Sequence, residues 1–240
     1  MRNWENIPET MKNNQVKEYY DILSRKKAGL FMKRVFDLCV SGLFLLLLSP
    51  VFLLIAIAIK LDSPGPVFYR QVRVTQYRET FRIYKFRTMV SDADKGSKLT
   101  VANDSRITRV GMFLRKYKLD ELGQLIDVFR GKMSFVGTRP EVEKYVNYYS
   151  DEMLATLLLP AGITSEASVC YKDENSLLDA AENPEEVYIN RILPDKMRYN
   201  LKAIKEFSFF GEIRIMIRTV LAVFVSDDKN EKHSEKAEKL

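Results

Sequence analysis

"SGLFLLLLSPVFLLIAIAIK", residues 41–60, decides how the rest of the chain is placed. From Leu38 to Ile59 no charged side chain occurs over 22 positions, about the length an α-helix needs to cross the hydrocarbon layer. Pro50 stands at its midpoint. Proline removes one backbone N–H and clashes with the preceding turn, which strands a carbonyl near Leu46; the Ser49 hydroxyl is placed to satisfy it. Cations flank both ends, with Arg25, Lys26, Lys27, Lys33 and Arg34 before the run and Lys60, Arg70, Arg73 and Arg78 after it. Such flanks favour the cytoplasmic side, so a helix broken at Ser49-Pro50 and returning to its own leaflet suits both. A kinked spanning helix is the alternative, since membrane helices tolerate proline. Asp37, one turn from Lys33 and Arg34, reads as a headgroup-depth charge paired locally.

Outside this run the 240 residues read as soluble, with 46% hydrophobic content and room for one sizeable domain. The balance of 38 Lys+Arg against 32 Asp+Glu suits phosphates or an anionic surface. His233 is the only histidine, and it falls in a polar stretch, residues 226–240, that reads as a disordered tail. Histidine catalysis and histidine metal sites are thereby disfavoured. Cys39 and Cys170 offer neither metal spacing nor a disulfide framework. Chemistry is left to carboxylates, cations, hydroxyls or a hard metal on oxygen ligands. Residues 1–32 show no signal-peptide pattern, and Val16, Tyr19, Tyr20 and Leu23 predict a short amphipathic helix that docks on the body or on a second subunit, with a dispensable appendage as the alternative.

After "DSPGP", residues 62–66, β-formers alternate with cations and predict two strands, Val67–Val74 and Thr80–Arg87. Between Arg70 and Lys118 there are thirteen Lys/Arg against four Asp/Glu. A solvated face, a headgroup-binding surface and a pocket for a phosphorylated substrate all fit, and position directly after a membrane segment favours lipid phosphate. No nucleic-acid module is present.

Further on, Val110, Phe113, Leu114 and Tyr117 mark one helical stripe, and Leu122, Leu125, Ile126 and Phe129 a second that ends at Gly131. Asp120 falls at the join. One reading makes Asp120 a cap and gives Glu121 the first-turn dipole. The other places adjacent carboxylates among Arg115, Lys116 and Lys118, where one attacks phosphorus and its neighbour helps hold Mg²⁺ on a departing diphosphate. Thr138 and Glu141 form a capping-box pattern for a helix running to about Leu159, with Pro140 in its first turn. Arg139 at that N-terminus is unfavourable for the dipole and points to an anionic partner.

In order, "KRVFD", the Ser-Pro break, "DSPGPVFYRQVRV", "YKFRTM", "ND", "RVGMFLRKYKLDELGQL", "GKMSFVGTRPE" and "AGIT" resemble the monotopic phosphoglycosyl transferases, bacterial sugar transferases of polyprenol-linked glycan assembly. The resemblance covers Lys33 to Phe224. It implies a helix-rich α/β fold with a small β-hairpin, carried by an N-terminal re-entrant helix in a monotopic membrane protein. The expected division is an extension at 1–32, the membrane helix at 33–60, a catalytic domain at 61–225 and the tail at 226–240. By the same resemblance Asp120 attacks the β-phosphate of a UDP-sugar with Mg²⁺ present, UMP leaves, and polyprenol phosphate takes the phosphosugar. Asp120 and Glu121 are the implied catalytic and metal residues. Arg115, Arg139, Lys85, Arg87 and Lys172 are the implied phosphate or nucleotide contacts. The implied location is the cytoplasmic face of the bacterial inner membrane, with downstream glycosyltransferases and a second copy as compatible partners and nucleic acid excluded.

Three departures from the family pattern stand out. "LGQL" and "GTRP" replace Leu-Pro-Gln-Leu and a Pro-Arg-Pro, and "AGITSEASVCYKDEN" lacks a usual arginine, for which Lys172 is a candidate substitute. "DENSLLDAAENPEEVYIN", residues 173–190, reads as an acidic solvated excursion broken at Pro184. "FGEIRIMIRTVLAVF", residues 210–224, is too short to span and reads as an interfacial or a core helix. A non-catalytic membrane adaptor that keeps the fold is the rival to an enzyme.

Overall fold

The structure is a computed structural model that describes residues 1–90, 106–171, 174–179 and 181–224. Helix α1 (Asn14–Ser24) is capped by Asn13, whose side chain accepts the Val16 N–H at 2.8 Å. Its buried stripe of Val16, Tyr19 and Leu23 joins the largest core cluster together with Ile7 and Met11. Tyr19 Oη donates to Glu152 at 2.5 Å. The helix docks on the body of its own chain.

The apolar run forms α2 (Lys27–Leu47) and α3 (Ser49–Asp62), which meet at 60°. Ser49 Oγ donates to the Leu46 carbonyl at 2.8 Å, as its position beside Pro50 predicts. Leu46 is 72% exposed and Leu61 83%, so this is not a core helix. Among the described residues no single helix is long and apolar enough to cross a bilayer.

The cationic base of α2 is a socket rather than a fringe. Lys33, 4% exposed, donates to the Val136 carbonyl and to Glu212, both at 2.7 Å. Arg34 donates to the carbonyls of Val128 at 2.8 Å and Phe129 at 3.0 Å. Asp37, expected to pair locally with Lys33 and Arg34, is buried and accepts the Phe135 N–H at 3.2 Å.

The expected hairpin is present but interrupted. β1 (Phe68–Tyr69) pairs with β4 (Lys85–Phe86), and β2 (Val72–Val74) with β3 (Thr80–Arg82), both antiparallel. The break has a visible cause, because the Tyr84 N–H donates to Asp127 Oδ2 at 2.8 Å instead of to a strand. Then come α4 (Arg109–Lys116), a 3₁₀ turn at Leu119–Gly123, and α5 (Gln124–Phe129). β5 (Met133–Val136) and β6 (Ala161–Thr164) form a parallel pair. The result is a helix-rich α/β fold with three two-stranded sheets among the described residues.

The long helix expected from Thr138 does not form. Only α6 (Glu143–Val146) and a 3₁₀ stretch at Met153–Leu158 separate β5 from β6. The capping box does not form: Glu141 accepts from Tyr188, and the Thr138 carbonyl, which a helix starting there would use, accepts the Gly162 N–H of β6. Beyond β6 come α7 (Glu166–Cys170), α8 (Glu174–Asp179) and α9 (Pro184–Val187), then a π turn at Tyr188–Ile192 that runs into α10 (Leu193–Lys205). Pro184 opens α9, and Tyr188, near the end of the stretch expected to be solvated, is buried with Ile192, Leu193 and Met197 beyond it. α11 (Phe209–Phe224) is divided: Glu212 packs inward on Lys33, while Phe210 is 82% exposed. The tail at 226–240 lies outside the described residues.

Candidate active site

Helix α4 is fixed at its start by Thr108 Oγ1, which accepts the Gly111 N–H at 3.0 Å, and by Asp62 Oδ2, which accepts the Val110 N–H at 2.9 Å. Gly111 permits a close approach, since a Cβ there would lie 2.1 Å from the Thr88 carbonyl. At the far end Lys118 turns left-handed (φ 55°), and the chain enters the 3₁₀ turn with Asp120 and Glu121 in its first turn. Neither carboxylate caps a helix. Leu119 and Leu122, on either side of the pair, pack with Ile55 and Ile59 of α3.

Glu121 Oε1 accepts from Lys85 of β4 at 2.8 Å and from Arg139 at 2.7 Å. Burial alone would raise its pKa, but the two cations hold the carboxyl well below the usual range. Arg139 is correspondingly raised by Glu121, while burial lowers Lys85. Asp120 shifts the other way: burial and the Glu121 charge raise it, opposed by Lys85 and Arg115. Two adjacent carboxylates thus sit in opposed environments, one locked as an anion and one kept basic. Arg115 is aimed by Thr88, whose Oγ1 accepts its Nε at 2.8 Å.

Of the seven site residues expected from the sequence, Asp120, Glu121, Arg115, Arg139 and Lys85 converge here. Arg87 does not join them. It is 5% exposed and donates to the carbonyls of Ser63, at 2.7 Å, and of Pro64, which ties the end of α3 to β4. Lys172 lies outside the described residues. Ser49 and Pro50 sit at the helix bend. Arg139, expected to face an anion at a helix N-terminus, finds that anion in Glu121. Reading the sequence missed Thr88, Glu141 and Tyr188, whose partners are all distant along the chain.

Among the described residues no three His, Cys, Asp or Glu side chains come together to hold a metal. Mg²⁺, however, commonly takes only one or two carboxylates and completes its shell with water and substrate phosphates. With Glu121 Oε1 engaged by two cations, the second oxygen of Glu121 and the Asp120 carboxylate fit that mode and do not fit an all-protein cage.

A sequence profile of the bacterial sugar transferase family matches residues 28–226. The chain belongs to this family. Among bacterial sugar transferases it is 37% identical over 201 residues to the UDP-glucose:undecaprenyl-phosphate glucose-1-phosphate transferase of Escherichia coli, covering 81% of this chain and 40% of that one. It is 34% identical over 197 residues to the UDP-N-acetylgalactosamine-undecaprenyl-phosphate N-acetylgalactosaminephosphotransferase of Aeromonas hydrophila, covering 80% and 44%. It is 31% identical over 214 residues to the exopolysaccharide production protein ExoY of Rhizobium meliloti, covering 82% and 88%. The chain therefore spans less than half the length of the first two relatives and most of the third.

Proposed function

We propose that this chain transfers a sugar-1-phosphate from a UDP-sugar to polyprenol phosphate, such as undecaprenyl phosphate, as an early membrane step of exopolysaccharide or related glycan assembly. The observation that carries this reading is the opposed pair: Glu121 clamped by Lys85 and Arg139, beside an Asp120 that faces Arg115 and Lys85. An Asp120 oxygen attacks the β-phosphorus, the bond from that phosphorus to the bridging oxygen breaks, and UMP leaves with the electron pair. An oxygen of polyprenol phosphate then attacks the same phosphorus, the acyl-phosphate bond breaks, and the Asp120 carboxylate is restored. Lys85 and Arg115 offset the charge that builds on the phosphoryl oxygens. Asp120 and Glu121 would hold Mg²⁺, which supplies charge neutralisation on the diphosphate.

The bend at Ser49-Pro50 is read as re-entrant. Residues 38–48 and 49–59 each span about 16 Å at helical rise, roughly half the hydrocarbon thickness. Both ends are held by one body, Lys33 and Arg34 by the carbonyls of Val136, Val128 and Phe129, and Ser63 and Pro64 by Arg87. A spanning helix would carry its ends to opposite sides. The domain then lies on the cytoplasmic face of the inner membrane, with Asp120 at the depth of a lipid phosphate.

The test is incubation with Mg²⁺ and UDP-sugars, followed by intact-mass measurement. A phosphosugar adduct should form on the native chain and be absent from Asp120→Asn. An Asp120→Asn protein that still releases UMP at the native rate sinks the mechanism.

A further inference from the structure

Arg139 is bound to Glu121 at 2.7 Å, and the charges of Glu141 and Glu174 also favour its cationic form. Glu141 is the nearer rival along the chain, only two residues away, and it is buried. Its carboxylate is already taken: Tyr188 Oη donates to Oε1 at 2.6 Å, and Arg73 stands 4.0 Å from Oε2. The backbone around it is gripped too, with the Val74 N–H on the Glu141 carbonyl at 2.8 Å and Arg73 on the Pro140 carbonyl at 3.1 Å. Glu174, the second rival, is held at 2.9 Å by Lys196, whose ammonium lies 5.4 Å above the Tyr188 ring.

We propose that Tyr188 and Lys196 are positioning residues that occupy Glu141 and Glu174, so that Arg139 is delivered to Glu121. The argument is one of competition. A buried carboxylate deprived of its donor carries the full desolvation cost of that group and recruits the nearest cation. For Glu141 the cations at hand are Arg73 and Arg139, and Arg73 is committed in part to Pro140 and to Gln71. Both occupying groups come from one segment, the π turn and the helix after it, and π turns inside helices recur at functional positions. The stretch from Tyr188 to Lys196 thus acts on the site through Glu141 and Glu174. That Arg139 matters for turnover rests on the function proposed above, whereas the pairing itself does not.

The test begins with the structure of full-length Tyr188→Phe in lipid nanodiscs, which needs no turnover. Arg139 should leave Glu121 and pair with Glu141; a retained Arg139–Glu121 contact overturns the proposal. The second arm measures UMP release from UDP-glucose and from UDP-N-acetylgalactosamine with undecaprenyl phosphate and Mg²⁺. Tyr188→Phe should lower kcat about tenfold with KM nearly unchanged, and adding Glu141→Gln should restore most of the loss, because a neutral amide does not draw Arg139. A purely structural tyrosine predicts no such recovery, and its absence refutes the competition. Should the native chain release no UMP, the proposed function fails while the structural arm still decides the positioning.

Discussion

Lys85 Nζ and Glu121 Oε1 meet at 2.8 Å across 36 residues of sequence, and the same ammonium also faces Asp120. One cation from a strand therefore serves both carboxylates, locking Glu121 as an anion and opposing the rise at Asp120. Lys85→Met removes both effects without altering backbone hydrogen bonds. Turnover should fall by about 10²-fold, the scale on which single charge-stabilising groups act, while the variant keeps its fold. UMP release with the native protein as reference checks this, and a loss below threefold contradicts the shared role.

Asp127 predicts a pH-dependent stability. Burial pushes its carboxyl up to about 6, against the Tyr84 N–H and the charges of Arg70 and Arg130. The folded-state value lies above the unfolded one, so its favourable contribution is complete below about pH 4 and is lost as pH rises through about 6. Asp127→Asn keeps an acceptor for Tyr84 and removes the ionisation. Its Tm should match the native protein near pH 4 and exceed it at pH 7.5, where the stability gap is on the order of 3 kcal/mol. Parallel Tm curves across that range would remove ionisation of Asp127 as the cause.

The bend predicts a topology experiment. Pro50→Leu restores the missing N–H and lets α2 and α3 continue as one helix of spanning length. Single cysteines placed before Lys33 and after Lys60, in a background lacking Cys39 and Cys170, should label from one side in the native chain. In Pro50→Leu a fraction of molecules should label from opposite sides. Opposite-side labelling in the native chain would instead support a spanning helix.

The Lys33–Glu212 pair predicts an asymmetric cost. Lys33→Met leaves the mostly buried Glu212 without its cation and removes the ammonium from the Val136 carbonyl. Losing one member of a buried pair costs about 3 kcal/mol or more, read as a large drop in Tm in detergent. Adding Glu212→Leu should recover much of that drop, since no lone charge is then left inside. A double variant no better than Lys33→Met would place the cost in α2 itself.

The parts of this protein legible in the sequence are those set by local chemistry. The length and purity of the apolar run, the proline at its centre and the serine beside it specify a bent helix, and the Ser49–Leu46 bond is a contact between residues three apart. The amphipathic stripe of α1 and the turn after Lys118 are local in the same sense. What the tertiary structure alone decided are partnerships across long stretches of chain. Arg87 looked like a phosphate ligand in a basic strand, but the carbonyls of Ser63 and Pro64 took it. Thr138 and Glu141 had the spacing of a capping box, but strand β6 and Tyr188 claimed them first, and a helix expected to reach Leu159 shrank to Glu143–Val146. Asp37 pairs with the Phe135 N–H of β5 and not with the cations one turn away. Buried polar groups must find partners wherever the fold brings them, and that competition, invisible to spacing along the chain, determined which carboxylate received Arg139.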